Sequence, residues 1–285
     1  MLTHLPFLLT GTRHGRAFEA DATYRPDSRP KPIILFVHGF KGFKDWGHFP
    51  LLTDFFADQG FVFVKLNLSH NGLVVGGSGD LEDLEAFGQN NFSIELDDIG
   101  QVIDVLGAPD RSPVPAAEMD PHRLFLIGHS RGGGLVLLKA AEDARVRALA
   151  TWAGIADVDQ RWPQSVLDEW QRSGVLHVPN SRTGQDLPLH FQIVENYQAN
   201  RDRLDIALNV RRLRQPLLLV HGNQDETVPL TAVHALHQLK PDAELLIVPD
   251  ATHMFGGAHP WPGATLPGPA LFVAQRTADF FLRQS

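Results

Sequence analysis

The chain contains no cysteine, which excludes disulfide bridges, thiolate metal sites and a cysteine nucleophile. It has no dense block of basic residues. Lys and Arg number 25 against 33 Asp and Glu, a formal net charge of −8, so neither nucleic acid nor an anionic membrane is an expected partner. No apolar run approaches the ~18 residues that a membrane helix needs. The short patch Leu5 to Leu9 lacks the basic flank and the length of a signal peptide. Repeats and low-complexity tracts are also missing. These absences lead to the expectation of a soluble, cytoplasmic protein. What is abundant is hydrophobic residue, 43% of 285, ample for a buried core.

The hydrophobic residues fall into short continuous runs that end in Gly, Asp, Asn or His. Pro32 to Phe40, Phe61 to Gly72, Arg123 to Ser130, Val146 to Gly154, Gln215 to Asp225 and Ala243 to His253 lack polar alternation, as strands covered on both faces do. Between them, segments such as Ser93–Gly107, Leu135–Ala144 and Leu230–Leu239 carry apolar residues at helical spacing. Gly60 and Gly107 stand where helix stops are expected. Strand and helix alternate, which predicts an α/β fold with a mostly parallel twisted sheet flanked by helices. The first 24 residues are read as added antiparallel edge strands. Residues 155–214 break the rhythm and are too long for an ordinary connection. They are expected to form a small, largely helical cap inserted into a core made of 1–154 and 215–285. The alternative is a set of peripheral helices with no role at a site.

One turn between a strand and a helix reads Gly128-His129-Ser130-Arg131-Gly132. An open sheet binds ligands beyond the carboxyl ends of its strands, and Ser130 sits there. The flanking glycines allow backbone segments to approach while the apex side chain is exposed, the arrangement of a nucleophile elbow, G-x-S-x-G. A serine hydroxyl needs a base, and histidine titrates near neutrality. Of 14 histidines, His253 in "VPDATHMFGG" lies in the loop between the last strand and the last helix. That histidine in turn needs a carboxylate. Asp225 in "HGNQDETVP" is the leading candidate, with Asp157 in "WAGIADVD" as its rival.

An attacked carbonyl develops an oxyanion that requires two donors. The backbone N–H groups of Arg131 and of Phe40, in the turn "HGFKGF", are the candidates. The Gly-rich stretch Ser69 to Asn91 either folds over the site or forms a separate surface loop. In the first case His70, Asn71, Phe87 and Asn91 meet substrate. Trp152, Trp162 and Trp170 either line an apolar pocket or belong to a local core. Arg161, Arg172, Arg182, Arg201, Arg203, Arg211, Arg212 and Arg214 form either a basic entrance or a solvated face.

With its serine, acid and histidine in the order Ser130, Asp225, His253, the chain resembles the α/β-hydrolase superfamily. The resemblance runs from "PIILFVHGF" through the elbow to "DATHMF". "HGFKGFKDW", "NLSHNG" and "DLEAFGQNNFSIELDDIGQVID" are most similar to dienelactone-hydrolase-like and serine-aminopeptidase-like carboxylesterases. True dienelactone hydrolases use a cysteine nucleophile, which this chain lacks. The resemblance implies a serine hydrolase acting on a small-molecule acyl substrate with no metal and no organic cofactor. Esters are the expected substrates, with amides or thioesters as alternatives and a non-catalytic binding module as a reading from another class. The single Gly39 before Phe40 implies esters of ordinary primary and secondary alcohols.

Overall fold

Ile33, Leu35 and Val37 turn into one hydrophobic core while Ile34 and Phe36 turn into another, and all are buried. This is the period of a strand covered on both faces. The computed structural model describes residues 1–77, 79–158 and 162–284. Its principal sheet contains β1 (Thr3–Thr10), β2 (Ala17–Tyr24), β3 (Lys31–Val37), β4 (Val62–Leu66), β5 (Met119–His129) and β6 (Val146–Trp152). A short ribbon follows, β7 (Val175–Asn180) and β8 (Gln185–His190), before the sheet resumes with β9 (Leu217–Gly222) and β10 (Glu244–Val248). The order across the eight-stranded sheet is β1-β2-β4-β3-β5-β6-β9-β10. All neighbours from β4 to β10 run parallel, and only β1 and β2 are antiparallel.

The helices are α1 (Phe49–Asp58), α2 (Leu84–Gly88), α3 (Phe92–Leu106), α4 (Arg131–Glu142), α5 (Gln164–Ser173), α6 (Gln192–Ala199), α7 (Arg201–Leu204), α8 (Ile206–Arg212), α9 (Leu230–Leu239) and α10 (Gly268–Leu282). Residues of α3, α4, α8 and α9 fill the core on one face of the sheet, and those of α1 and α10 the core on the other. Each fully buried Leu, Ile or Phe stabilises these layers by about 1.5–3 kcal/mol. Gly60, just past α1, has φ +86° and stops the helix in the left-handed region. Gly107 instead caps α3 with φ −79°, so that helix ends without a left-handed residue.

The 155–214 segment carries α5 to α8 and also the antiparallel ribbon β7–β8. The ribbon is a departure from the helical expectation. Pro179 and Pro188 interrupt the sequence pattern, yet a two-stranded ribbon has outer edges where proline is tolerated. Leu187 and Leu189 of β8 pack with Trp170, Phe87 and Leu81 in a small third core. Ile206 and Val210 of α8 join the main core instead. No helix among the described residues is long and apolar enough to cross a membrane.

Candidate active site

Ser130 joins β5 to α4 with φ 57° and ψ −119°, a strained conformation for a residue with a Cβ. The strand can turn into the helix this sharply because its flanking glycines meet backbone. A Cβ on Gly128 would lie 2.1 Å from the Gly132 carbonyl oxygen, and one on Gly132 would lie 2.2 Å from that of Val37. The Ser130 N–H is tied to the Trp152 carbonyl at 2.9 Å. Its side chain is half-buried at the carboxyl edge of the sheet.

Asp225 and His253 leave that edge on the loops after β9 and β10. The loops are bound together by the Gln224 N–H, which donates to the Ala251 carbonyl at 3.0 Å. His253 Nδ1–H donates to Asp225 Oδ2 at 2.8 Å. This leaves Nε2 as the basic nitrogen of His253. The other carboxyl oxygen, Oδ1, accepts the N–H groups of Thr227 and Val228, each at 2.9 Å. His221 Nε2 stands 3.2 Å from Asp225 Oδ2. Burial alone would raise the Asp225 carboxyl, but the bonds from His221, His253 and the Val228 N–H outweigh it and hold the group well below the usual carboxylate range. It is Asp225, the leading candidate, that lies beside His253.

The turn after β3 lies against the serine. A Cβ on Gly39 would be 2.9 Å from the Ser130 Cβ. His38 Nδ1–H donates to the Gly39 carbonyl at 2.9 Å, and the Gly42 N–H donates to the same oxygen at 3.0 Å. In a planar trans peptide the N–H points opposite to the C=O, so the Phe40 N–H is aimed away from His38. The Leu68 N–H donates to His38 Nε2 at 3.3 Å, which anchors the ring to the loop after β4. Burial pushes His38 down to about 4, so the ring is neutral and can accept that bond. The Arg131 N–H begins α4, where no intrahelical acceptor exists and the helix dipole favours negative charge.

A cavity of about 410 Å³ extends from Phe40, Phe92 and Arg131 to the inserted segment. Val158, Trp162, Leu167, Trp170, Val178 and Leu189 form much of its wall, and Ile193, Val194, Tyr197, Gln198 and Arg201 complete it. Among the described residues the charged members of this lining are Arg131 and Arg201. Trp162 and Trp170 meet edge to face at 5.8 Å, so Trp170 serves both the cavity and the small core.

The other proposed contacts lie elsewhere. His70 bonds Ser69 Oγ at 2.7 Å and packs against His14. Asn71 Oδ1 accepts the Leu73 N–H at 3.2 Å. Asn71 Nδ2 also donates to the Gly42 carbonyl at 3.4 Å, and neither residue is among those lining the cavity. Phe87 stands behind Phe40, ring to ring at 5.4 Å. Asn91 caps α3 by accepting the Ile94 N–H. Trp152 packs in the core on the α1 side and donates to Thr277 Oγ1 at 3.1 Å. Of the arginines in the inserted segment, Arg172, Arg182 and Arg203 pair with Glu169, Asp80 and Glu142. Arg161 lies outside the described residues.

Two histidines next to the site were not singled out by sequence, His221 behind Asp225 and His129 behind His253. His129 Nε2–H donates to the His253 carbonyl at 3.0 Å. The available signal was the recurrence of histidine at the ends of β3, β5 and β9. Among the described residues no group of three or more His, Cys, Asp or Glu is placed to hold a metal ion.

Residues 48–260 of the chain match the prolyl oligopeptidase family. No curated protein matches by sequence. Among solved structures, the esterase domain of a Rhodothermus marinus protein is similar at 20% identity, with a TM-score of 0.65 over 99% of this chain and 98% of that one. Est1E from Butyrivibrio proteoclasticus with ferulic acid bound is similar at 19% identity, TM-score 0.61, over 99% and 96%. The α/β hydrolase GrgF from Penicillium is similar at 17% identity, TM-score 0.68, over 99% of both. At these identities the likeness is one of fold.

Proposed function

Because the chain belongs to the prolyl oligopeptidase family, and so to the serine hydrolases of the α/β-hydrolase fold, we infer that it cleaves carboxylic esters with Ser130, His253 and Asp225. The observation that carries this reading is the 2.8 Å bond from His253 to Asp225, with the His253 loop tied by its carbonyl to His129, the residue before Ser130. Ser130 Oγ attacks the ester carbonyl as its proton passes to His253 Nε2. The negative oxygen of the tetrahedral intermediate is held by the N–H groups of Phe40 and Arg131. The carbon–oxygen bond to the alcohol then breaks, and the leaving alkoxide takes the proton from His253. Water repeats the route on the acyl-serine, giving its proton to His253 and its oxygen to the acid.

The apolar lining supports a small-molecule acyl substrate. A dry cavity of ~150 Å³ accommodates benzene, and about 410 Å³ leaves room for a substituted ring or a medium-length alkyl chain. In this reading residues 155–214 act as a cap over that cavity. The protein works in the cytoplasm without nucleic acid or membrane as partner, in keeping with its net charge of −8. A second reading, amide hydrolysis, is favoured by the family match.

Hydrolysis of p-nitrophenyl esters with acyl chains of about two to twelve carbons, by wild type and Ser130→Ala, tests the proposal. Activity that disappears in the variant is expected, falling by about 10⁴-fold or more. A wild type that is inert on the whole series but is labelled by a fluorophosphonate at Ser130 shifts the assignment to amides or thioesters. Failure of both activity and labelling removes the hydrolytic reading.

A further inference from the structure

We propose that Glu95 is a positioning residue, which fixes the Arg131 side chain as a strut between the two residues, Phe40 and Arg131, whose backbone N–H groups hold the oxyanion. The inference rests on the hydrolase reading above and adds a residue to its machinery. Glu95 lies in the first turn of α3 and Arg131 opens α4. They are only 2% and 5% exposed. The Arg131 Nε–H donates to Glu95 Oε2 at 2.9 Å, and Asn90 Nδ2–H donates to Glu95 Oε1 at 2.8 Å. Both carboxyl oxygens accept, so the carboxylate cannot turn without breaking a bond. The guanidinium carbon of Arg131 lies 3.9 Å from the centroid of the Phe92 ring and 5.6 Å from that of Phe40, each within reach of a cation–π contact. Phe87 meets the same Phe40 ring at 5.4 Å.

Energetics indicate what such a pair is for. Two charges this deep lose hydration that their attraction repays only in part, so an apolar pair of similar volume would stabilise the fold as well. What the ionic pair adds is direction. A charge-assisted hydrogen bond holds a guanidinium in one orientation, where a free methylene chain has several. Position gives that direction its use. Arg131 follows Ser130 in the chain, and the turn that carries Phe40 packs on Ser130, where a Cβ on Gly39 would lie 2.9 Å from the Ser130 Cβ. The side chain of one donor residue thus bears on the side chain of the other, and Glu95 holds it there. Oxyanion donors act by being in place before the charge forms, and a misplacement of ~1 Å costs on the order of a hundredfold in rate.

The test compares wild type with the double variant Arg131→Met/Glu95→Gln, which buries no charge and keeps an acceptor for Asn90. A second variant, Arg131→Lys, keeps the charge pair but lacks the planar group set against Phe40. For each protein, kcat and KM on p-nitrophenyl butanoate are measured beside the Ki of pentyl trifluoromethyl ketone. The carbonyl carbon of this ketone bonds to Ser130 Oγ as the serine proton passes to His253, and the hemiketal oxygen then carries the negative charge of the tetrahedral intermediate. In both variants kcat is expected to fall and Ki to rise by a common factor of about tenfold to a hundredfold, with KM little changed. A double variant that melts cooperatively with kcat and Ki unaltered overturns the role of Glu95 and leaves the hydrolase intact. Should the double variant not fold, Arg131→Lys decides by the same readings. A rise in KM alone makes the pair part of substrate binding, and a fall in kcat with Ki unaltered places it in another step; either result overturns the proposal. If wild type neither hydrolyses the ester nor is labelled by a fluorophosphonate at Ser130, the hydrolase reading fails and this inference fails with it.

Discussion

His129 and His253 stand ring to ring at 4.8 Å, with the first donating from Nε2 to the carbonyl oxygen of the second at 3.0 Å. Burial, then the neighbouring His253, pushes His129 down to about 3, so it stays neutral at any working pH. It is a positioning residue. Being adjacent to Ser130 in sequence, it ties the loop that carries His253, the proposed base, to the strand that ends at Ser130, the proposed nucleophile. Replacing it with Asn is expected to lower kcat by about tenfold to a hundredfold, since small misplacements of a base cost that much, with KM little changed. Steady-state kinetics on a p-nitrophenyl ester decide it, and an unaltered kcat removes the role.

His38 is expected to matter through the peptide it orients. It holds the Gly39 carbonyl at 2.9 Å and so aims the Phe40 N–H. His38→Ala removes one of the two donors to that carbonyl and leaves the Gly42 N–H as the other, so the peptide loosens and part of the ~3 kcal/mol that one oxyanion donor contributes is lost. The effect should appear in kcat, while labelling of Ser130 by a fluorophosphonate continues at a reduced rate. A loss confined to KM contradicts the assignment.

Strain at Ser130 predicts a stability gain on its removal. Ser130 holds φ 57° and ψ −119°, at a cost of about 1–3 kcal/mol for a residue with a side chain. Ser130→Gly relieves this but adds unfolded-state freedom worth about 0.5–1 kcal/mol. A net gain of about 1 kcal/mol should raise Tm by about 2 °C. Ser130→Ala keeps the strain and should melt with the wild type. Calorimetry on the two inactive variants separates backbone strain from loss of the hydroxyl.

The acid limb of stability should depend on Asp225. Its folded-state pKa is depressed below its ordinary value of 3.8 by its bonds to His221, His253 and the Val228 N–H, against the opposing effect of burial. Between the two values the unfolded state binds the extra proton, so stability rises with pH across that window. The contribution is complete above about pH 4 and is lost as pH falls through the folded value. Asp225→Asn should flatten this part of a urea-unfolding series run from acid to neutral pH. It should also lower kcat by about 10⁴-fold at neutral pH by releasing the His253 tautomer. Equal acid sensitivity in both proteins contradicts the linkage.

Much of this was legible along the chain, because it depends on neighbours in sequence. The uniformly apolar run in "PIILFV" became β3, buried on both faces. The glycines around Ser130 became the close backbone contacts that a sharp turn requires. The order Ser130, Asp225, His253 follows the strand order, since β5, β9 and β10 end at one edge of a parallel sheet.

What the chain could not disclose are contacts made only when distant segments dock. The hairpin β7–β8 owes its existence to one apolar face meeting Trp170 and Phe87, and its prolines hide the alternation. His70 and Asn71 carry suitable chemistry in a suitable loop, and folding sets His70 against His14 and Asn71 against Gly42. Arg131 meets Glu95 across 36 positions and His129 meets His253 across 124. Residue type and local spacing therefore determined the elements, the sharp turn at Ser130 and the chain order of Ser130, Asp225 and His253. Tertiary structure alone decided which polar groups were buried in pairs and which, like Arg131 Nη2, have no hydrogen-bond partner among the described residues. The physical reason is that burial and pairing are properties of packed surfaces, to which every layer of the fold contributes.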